Sequence, residues 1–296
     1  MTIPLFAQRE AIRELIPEIA ARQRDVLESG RYILGPEVEA FETEFAAYVG
    51  AEHCVGVASG TDALKIALRA LGVGPGDEVV VPAFTFYATA EAVAGIGATP
   101  VFCDVDEETW CMTPATAEPV LGERTRALLP VHLFGNPAPV TELQQLGEPR
   151  GIAVVEDAAQ AHGAELGGRP AGSLGHAAAF SFFPAKNLGG FGDGGAVTTS
   201  DPEVAARASR LRQHGSEDKR VFTEVGYNSR LDELQAAALR VLLPQLPSWT
   251  QRRRHAARDY LDAGLSDLVR VQAEAVDGTA RTSGVGAGGV GCAGAG

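Results

Sequence analysis

The sequence has no long apolar run, no excess of positive charge and no paired cysteines, and each absence removes a class of protein. Nowhere do enough apolar residues follow one another to cross a bilayer. Met1 to Arg13 contains no apolar segment followed by a small-residue cleavage site, so no export signal is read there and a cytoplasmic location is expected. The formal charge of -13 and a pI near 4.9 argue against nucleic acid and anionic membranes as partners. Any anionic ligand must then be held by a local site, such as backbone N–H groups at a helix N-terminus. Cys54, Cys103, Cys111 and Cys292 form no CxxC pair and have no metal-ligand spacing with histidine. They read as buried reduced thiols rather than as disulfides or a zinc site, and no metal is expected.

What is present is enough hydrophobic sequence, 45% of 296 residues, to bury a large core. One stretch stands out, Phe180-Ser181-Phe182-Phe183-Pro184-Ala185-Lys186-Asn187-Leu188-Gly189-Gly190-Phe191-Gly192-Asp193-Gly194-Gly195. It sets a lysine between an aromatic run and a glycine-rich turn. Desolvation disfavours an ammonium and leaves a nucleophilic amine, as a Schiff-base lysine requires, while glycines let the backbone pass close to a bulky ligand. The alternative is a solvated loop lysine. Gly190 to Gly195 also fits G-x-G-x-x-G in form, but Gly195–Thr199 continues as a strand where a dinucleotide site needs a helix.

Taken in order, residues 8–28 read as a helix through Ile12, Leu15, Ile16 and Ile19 with a kink or break at Pro17. A second helix begins at Pro36, buries Val38, Phe41, Phe45 and Val49, and stops at Gly50. A short strand, His53–Val57, then leads through Ala58-Ser59-Gly60-Thr61-Asp62 into a helix ended by Gly72. Strand, small-residue turn and helix N-terminus make an anion site; the same residues also fit an ordinary N-cap. Glu78–Val81, Thr99–Cys103, Ala127–Leu133, Ala153–Val155 and Ala178–Phe182 are short buried-type strands separated by helices or loops. That alternation predicts an α/β fold, a mainly parallel sheet with helices on both faces and its ligand at the carboxyl ends of the strands. Phe84-Thr85-Phe86, Asp157, Gln160 and Lys186 all fall at such ends.

Asp157 closes an apolar strand among alanines, where an unpaired carboxylate is expensive. A protonated pyridine nitrogen is a fitting partner; a helix-capping Asp is the alternative. His162 reads as a packed or supporting histidine. After Lys186 come a helix capped by Asp201, a polar loop from Gly215 to Glu224, and the turn Gly226–Gln235, in which Ser229 with Asp232 resembles a capping box. An arginine-rich helix starting at Ser248 reads as a solvated connector.

Five segments together resemble the DegT/DnrJ-type pyridoxal-phosphate nucleotide-sugar aminotransferases, which have the aspartate aminotransferase-like (type I) fold. They are Ser59–Leu64, Pro82–Phe86, Glu156–Ala164, Phe180–Gly195 and Gly226–Gln235, and the likeness covers roughly residues 3–265. The resemblance implies that Lys186 is the Schiff-base lysine, that Asp157 pairs with the pyridine nitrogen, and that Gln160 lies by the ring hydroxyl. Phe86 would stack on the ring, and Gly60, Thr61 and Ser181 would hold the phosphate. The residue matching Asn228 would reach the phosphate of a neighbouring subunit, implying a homodimer with shared sites. Lys219 and Arg230 are the candidate substrate-side cations. The implied activity moves an amino group from an amino acid, glutamate by expectation, to a keto group of a nucleotide-linked deoxysugar. Relatives that dehydrate sugars carry histidine where this chain has Lys186, and the wording around Lys186 looks more like 3-amino than 4-amino sugar enzymes.

The implied domains are a cofactor-binding α/β unit over residues 1–245, a connector and the start of a small domain over 246–276, and a glycine-rich disordered tail over 277–296. Because the likeness fades after about residue 280, the sequence reads as a C-terminally truncated member. A different class, a non-catalytic or regulatory cofactor-binding protein, is the alternative, and a plain α/β binding protein without cofactor is a third reading.

Overall fold

The computed structural model describes residues 8–274. Its strands are β1 (His53–Val57), β2 (Glu78–Pro82), β3 (Thr99–Cys103), β4 (Thr125–Leu128), β5 (Ala153–Asp157), β6 (Glu165–Leu166), β7 (Arg169–Pro170), β8 (Ala177–Ser181) and β9 (Gly195–Thr199). The helices are α1 (Gln8–Ile12), α2 (Ile16–Ser29), α3 (Pro36–Val49), α4 (Gly60–Ala70), α5 (Tyr87–Gly95), α6 (Pro114–Ala117), α7 (Val140–Gly147), α8 (Pro202–Arg212), α9 (Glu233–Leu242) and α10 (Leu246–Asp262).

Seven strands form one sheet in the order β1-β9-β8-β5-β4-β2-β3, and β6 and β7 make a separate short ribbon. The contacts β3-β2, β2-β4, β4-β5 and β5-β8 are parallel, whereas β9 runs antiparallel to both β8 and β1. Neighbouring residues of one strand enter different clusters: Val79 and Val81 pack with α4, α5 and α8, and Val80 packs with Leu128, Val140 and Leu143. Likewise Ala177 and Ala179 face α4, while Ala178 and Phe180 join Phe41, Phe45 and Leu239 on the other side. Period-two alternation with both faces apolar forces the sheet between two helical layers. Ser181 is paired with Gly195, so Lys186 lies in the loop joining two antiparallel strands at the carboxyl end of β8.

Several expectations shift in detail. The strand expected over Ala127–Leu133 ends at Leu128: Pro130 has no N–H to donate, and Phe134 adopts a left-handed φ of 56°. The strand expected to end at Val155 runs through Asp157, because Glu156 and Asp157 pair with Ala178 and Ala179 of β8 and the Asp157 N–H donates to the Pro130 carbonyl at 2.9 Å. β8 is one residue earlier than Ala178–Phe182. β3, expected as a buried run, is the sheet's edge, with Phe102 half exposed. The helix read over residues 8–28 is interrupted just ahead of Pro17, as a kink or break there predicts: a 3-10 turn over Arg13–Leu15 separates α1 from α2, and Pro17 occupies the first turn of α2. α10 begins at Leu246 rather than Ser248, Pro247 standing in its first turn. Among the described residues no helix is long and apolar enough to cross a membrane. The expected tail lies outside the described residues.

Candidate active site

The turn after β1 is pressed against the sheet. Ser59 caps α4, its Oγ accepting from the Asp62 N–H at 3.1 Å. Gly60 lies so close to β8 that a Cβ there would stand 2.6 Å from the Ser181 Cβ, and a Cβ on Gly195 would strike the Ser59 carbonyl. The absence of side chains thus brings the amides of Gly60 and Thr61 beside the Ser181 hydroxyl. Those amides precede the first intrahelical bond, from Ala63 N–H to the Ser59 carbonyl at 2.9 Å. The capping reading of Ser59 holds, and it is compatible with the anion reading because the cap takes a different amide.

Asp157, 6% exposed, receives the Thr89 hydroxyl on Oδ2 at 2.8 Å and the Ala159 N–H on Oδ1 at 3.2 Å. Burial pushes its carboxyl above the usual range, against the Thr89 and Ala159 hydrogen bonds and the Lys186 charge. The capping role expected as an alternative is therefore met in part by the Ala159 bond. Lys186 is held by a tight turn, its N–H donating to the Phe183 carbonyl at 2.8 Å, while Gly190 N–H reaches the Phe182 carbonyl at 2.7 Å. Burial lowers the Lys186 pKa, and the Asp157 charge opposes that. Lys186 is half-buried and feels the Asp157 charge, which sets it apart from a fully solvated loop lysine.

Gln160 accepts the Phe134 N–H on Oε1 at 2.9 Å. Phe86 stands at the N-cap position of α5 and is 69% exposed. His162 is wholly buried against Phe45, Phe180 and Phe182, and burial takes its pKa down to about 3, which fixes it as a neutral packing residue. Asn228 is exposed and bridges to Gln213, and Arg230 is half-buried on the same turn. Lys219 is exposed on the loop before that turn, with a left-handed φ of 60°. The expected Ser229 capping box is not formed. Asp232 caps α9, whereas the buried Ser229 Oγ accepts the Ala58 N–H at 3.0 Å, tying the Asn228 turn to the start of the anion turn.

Three features escape a reading of the sequence. Thr89 and, behind it, Thr85 adjoin Asp157; both hydroxyls lie in the Pro82-to-Thr89 segment, four residues apart, which is the signal that was there to find. The fully buried His132, in the segment after β4, and Glu156, on β5, meet at 2.8 Å. Arg253, on the helix read as solvated, reaches the Asn187 carbonyl at 3.5 Å beside Lys186, and burial lowers its pKa.

A buried carboxylate wanting a cation, a desolvated amine coupled to it, and an amide cradle that a single Cβ would fill suit a flat cationic ring bearing an aldehyde and a phosphate. Pyridoxal phosphate has those parts. Among the described residues no group of three or more His, Cys, Asp or Glu could hold a metal ion.

Residues 13–285 match the DegT/DnrJ/EryC1/StrS aminotransferase family, and the chain belongs to it. The fold and the site thus define the class of the pyridoxal-phosphate-dependent aminotransferases. Within it, the chain is 52% identical over 266 residues to the dTDP-3-amino-3,4,6-trideoxy-alpha-D-glucose transaminase of Streptomyces venezuelae, covering 90% of this chain and 70% of that protein. It is 48% identical over 260 residues to the UDP-N-acetyl-3-dehydro-alpha-D-glucosamine 3-aminotransferase of Acidithiobacillus ferrooxidans, covering 88% and 70%. A crystal structure of S. venezuelae DesV in complex with a ketimine intermediate superposes with a TM-score of 0.87 at 51% identity, over 92% of this chain and 74% of that one.

Proposed function

We propose that this chain transfers an amino group from an amino acid, glutamate by expectation, to a keto group of a nucleotide-linked deoxysugar, at C3 by analogy with the relatives named. The observation that carries the proposal is the pairing of a desolvated Lys186 with the buried Asp157 at the carboxyl edge of the sheet, next to the Gly60–Thr61–Ser181 cradle. Pyridoxal phosphate, when bound, supplies the electron sink and carries the nitrogen between the two substrates. The protein's own groups do the rest. The Gly60 and Thr61 amides and the Ser181 hydroxyl would hold the phosphate, and Asp157 would pair with the ring nitrogen and favour its protonated form. Gln160, its Oε1 taken by Phe134, offers its amide N–H to the ring hydroxyl. Phe86 covers the ring and excludes water from that face. Lys186 would be the attachment point and the base for the proton on the donor's α-carbon, and burial lowers its pKa in the direction that role needs.

Lys219 and Arg230 are proposed for the anionic nucleotide sugar. We assign residues 1–245 to the cofactor-binding unit and 246–276 to the connector, in a cytoplasmic homodimer whose partner supplies Asn228. Exposed Phe84, Phe86, Tyr87, Phe183 and Phe222 support a buried subunit contact. Mixing Lys186→Ala with Asn228→Ala subunits then restores one intact site per hybrid dimer; exchange without recovered activity contradicts the shared site. Nothing in the site favours the non-catalytic alternative, since amine, carboxylate and cradle are all in place. Purified protein loaded with cofactor and given glutamate should lose its lysine-linked absorbance band and release 2-oxoglutarate, with sustained turnover on adding a 3-keto nucleotide sugar. An unchanged spectrum under saturating glutamate overturns the proposal.

A further inference from the structure

α5 delivers Thr89 to Asp157 in its first turn, and Thr85 lies just ahead of that turn. The Thr85 and Thr89 hydroxyls are 2.8 Å apart, and Thr89 Oγ1 is 2.8 Å from Asp157 Oδ2. Thr89 is 1% exposed, whereas Thr85 is half-buried between the exposed Phe84 and Phe86. A threonine hydroxyl has one proton to give. If Asp157 is ionised, Thr89 must give its proton to Oδ2 and can only accept from Thr85. If Asp157 carries a proton on Oδ2 and gives it to Thr89, the Thr89 proton is free to turn to Thr85 or to another acceptor, and Thr85 is no longer required to donate inward. Ionisation of Asp157 therefore fixes the direction of the chain.

We infer that Thr85 and Thr89 are positioning residues, a directional hydroxyl chain that holds Asp157 in its charged, accepting state and aims it for the cofactor nitrogen. The role of that nitrogen rests on the function proposed above; the coupling of the hydroxyls to the carboxylate does not. Two features favour the forward direction. The Ala159 N–H on Oδ1 is a fixed donor that suits a carboxylate. The charged group that acts on Asp157, Lys186 from the loop after β8, favours the ionised form, and burial opposes it; His132 from the segment after β4 turns its ring to Glu156 and to the Ala138 N–H. α5 brings no charged side chain to the carboxylate, so the hydroxyls supply what that element contributes. The first-turn position adds the partial positive charge of a helix N-terminus.

The test is the titration of Asp157 in cofactor-free protein carrying 13C-carboxyl aspartate, with the resonance assigned by its loss in Asp157→Asn. Thr89→Val keeps the shape and removes the donor, and it should raise the Asp157 midpoint by about one pH unit, the size of one hydrogen bond to a charged group. Thr89→Ser should restore the midpoint to within a few tenths of a unit. Thr85→Val, farther out and with less risk to the fold, should move it in the same direction by less. A second readout is cofactor affinity by fluorescence titration, expected to fall several-fold in Thr89→Val and to recover in Thr89→Ser. An unmoved midpoint in folded Thr89→Val or Thr85→Val, or a serine that fails to rescue, shows that the threonines only pack and overturns the inference. If pyridoxal phosphate does not bind the unaltered protein while the midpoints shift as stated, the functional reading fails and the hydroxyl chain stands.

Discussion

Glu156 and Asp157 are neighbours on β5, both buried, and their surroundings are opposite. Glu156 is saturated: its oxygens accept from the amides of Gly172, Leu174 and Gly175 at 2.8 Å each, and from His132 Nε2 at 2.8 Å. His132 must be the donor there, because its Nδ1 accepts the Ala138 N–H at 3.0 Å. Asp157, on the other face of the strand, has one hydroxyl and one long amide contact, and its carboxyl is pushed up by burial. The difference separates scaffold from site. A buried carboxylate with every lone pair engaged fixes the chain, while one left short of partners is held ready for a cation. The two are linked, since the His132 N–H also donates to the Asp157 carbonyl at 3.1 Å, so the saturated side holds the backbone of the unsaturated one.

The sharpest way to break this contrast is to remove the reactive side. Lys186→Ala should lower kcat by roughly a thousandfold, within the range a positioned general base supplies, with little change in the urea midpoint. Glu156→Ala should do the reverse in kind. It leaves three amides and an imidazole N–H buried without an acceptor, at a cost of about 3–5 kcal/mol, read from urea denaturation of the cofactor-free protein. Gly60→Ala forces a contact with Ser181 and the carboxyl end of β8, where neither side can yield far; it should cost about 1–3 kcal/mol and weaken cofactor binding. The smallest effect concerns pH. With its folded pKa raised, Asp157 contributes stability that is complete below the unfolded carboxylate pKa and is lost as pH rises through the folded value. Lys186, with its folded pKa lowered, loses its contribution as pH falls from the unfolded lysine value through the folded one. At neutral pH the pair therefore strains the cofactor-free fold. Asp157→Asn should flatten the acid limb of the stability–pH curve and cost almost no stability at pH 7, while activity falls sharply.

How much of this was legible in the sequence follows from locality. Lys186 and Asp157 declare themselves because their own segments carry the cue, an amine between aromatics and glycines and an acid closing an apolar strand. The sheet was legible from alternating apolar runs, but its limits were not, because Pro130 ends one strand early and the bond from Asp157 to Pro130 prolongs another. Ser229-x-x-Asp232 fits a capping box locally, and only the arrival of Ala58 from 171 residues away decides that Ser229 serves the anion turn instead. Thr89 and Asp157 are separated by 68 residues, and His132 and Glu156 by 24, so their pairing needs the sheet order before it can be read. Arg253 looked solvated because its helix is rich in arginine, and only packing shows that it and Arg254 turn inward.

The central claim is that the unsaturated side of β5 faces a cofactor carried on Lys186. The chain has three lysines, Lys65, Lys186 and Lys219, which makes the decisive measurement simple. Lys65 faces Asp62 at 3.7 Å and Lys219 is exposed, so neither has the desolvated setting of Lys186. Borohydride reduction of protein loaded with pyridoxal phosphate, followed by peptide mapping, should place one pyridoxyl mass per chain on the peptide containing Lys186. A pyridoxyl mass on Lys65 or Lys219, or on no lysine at all, contradicts the account.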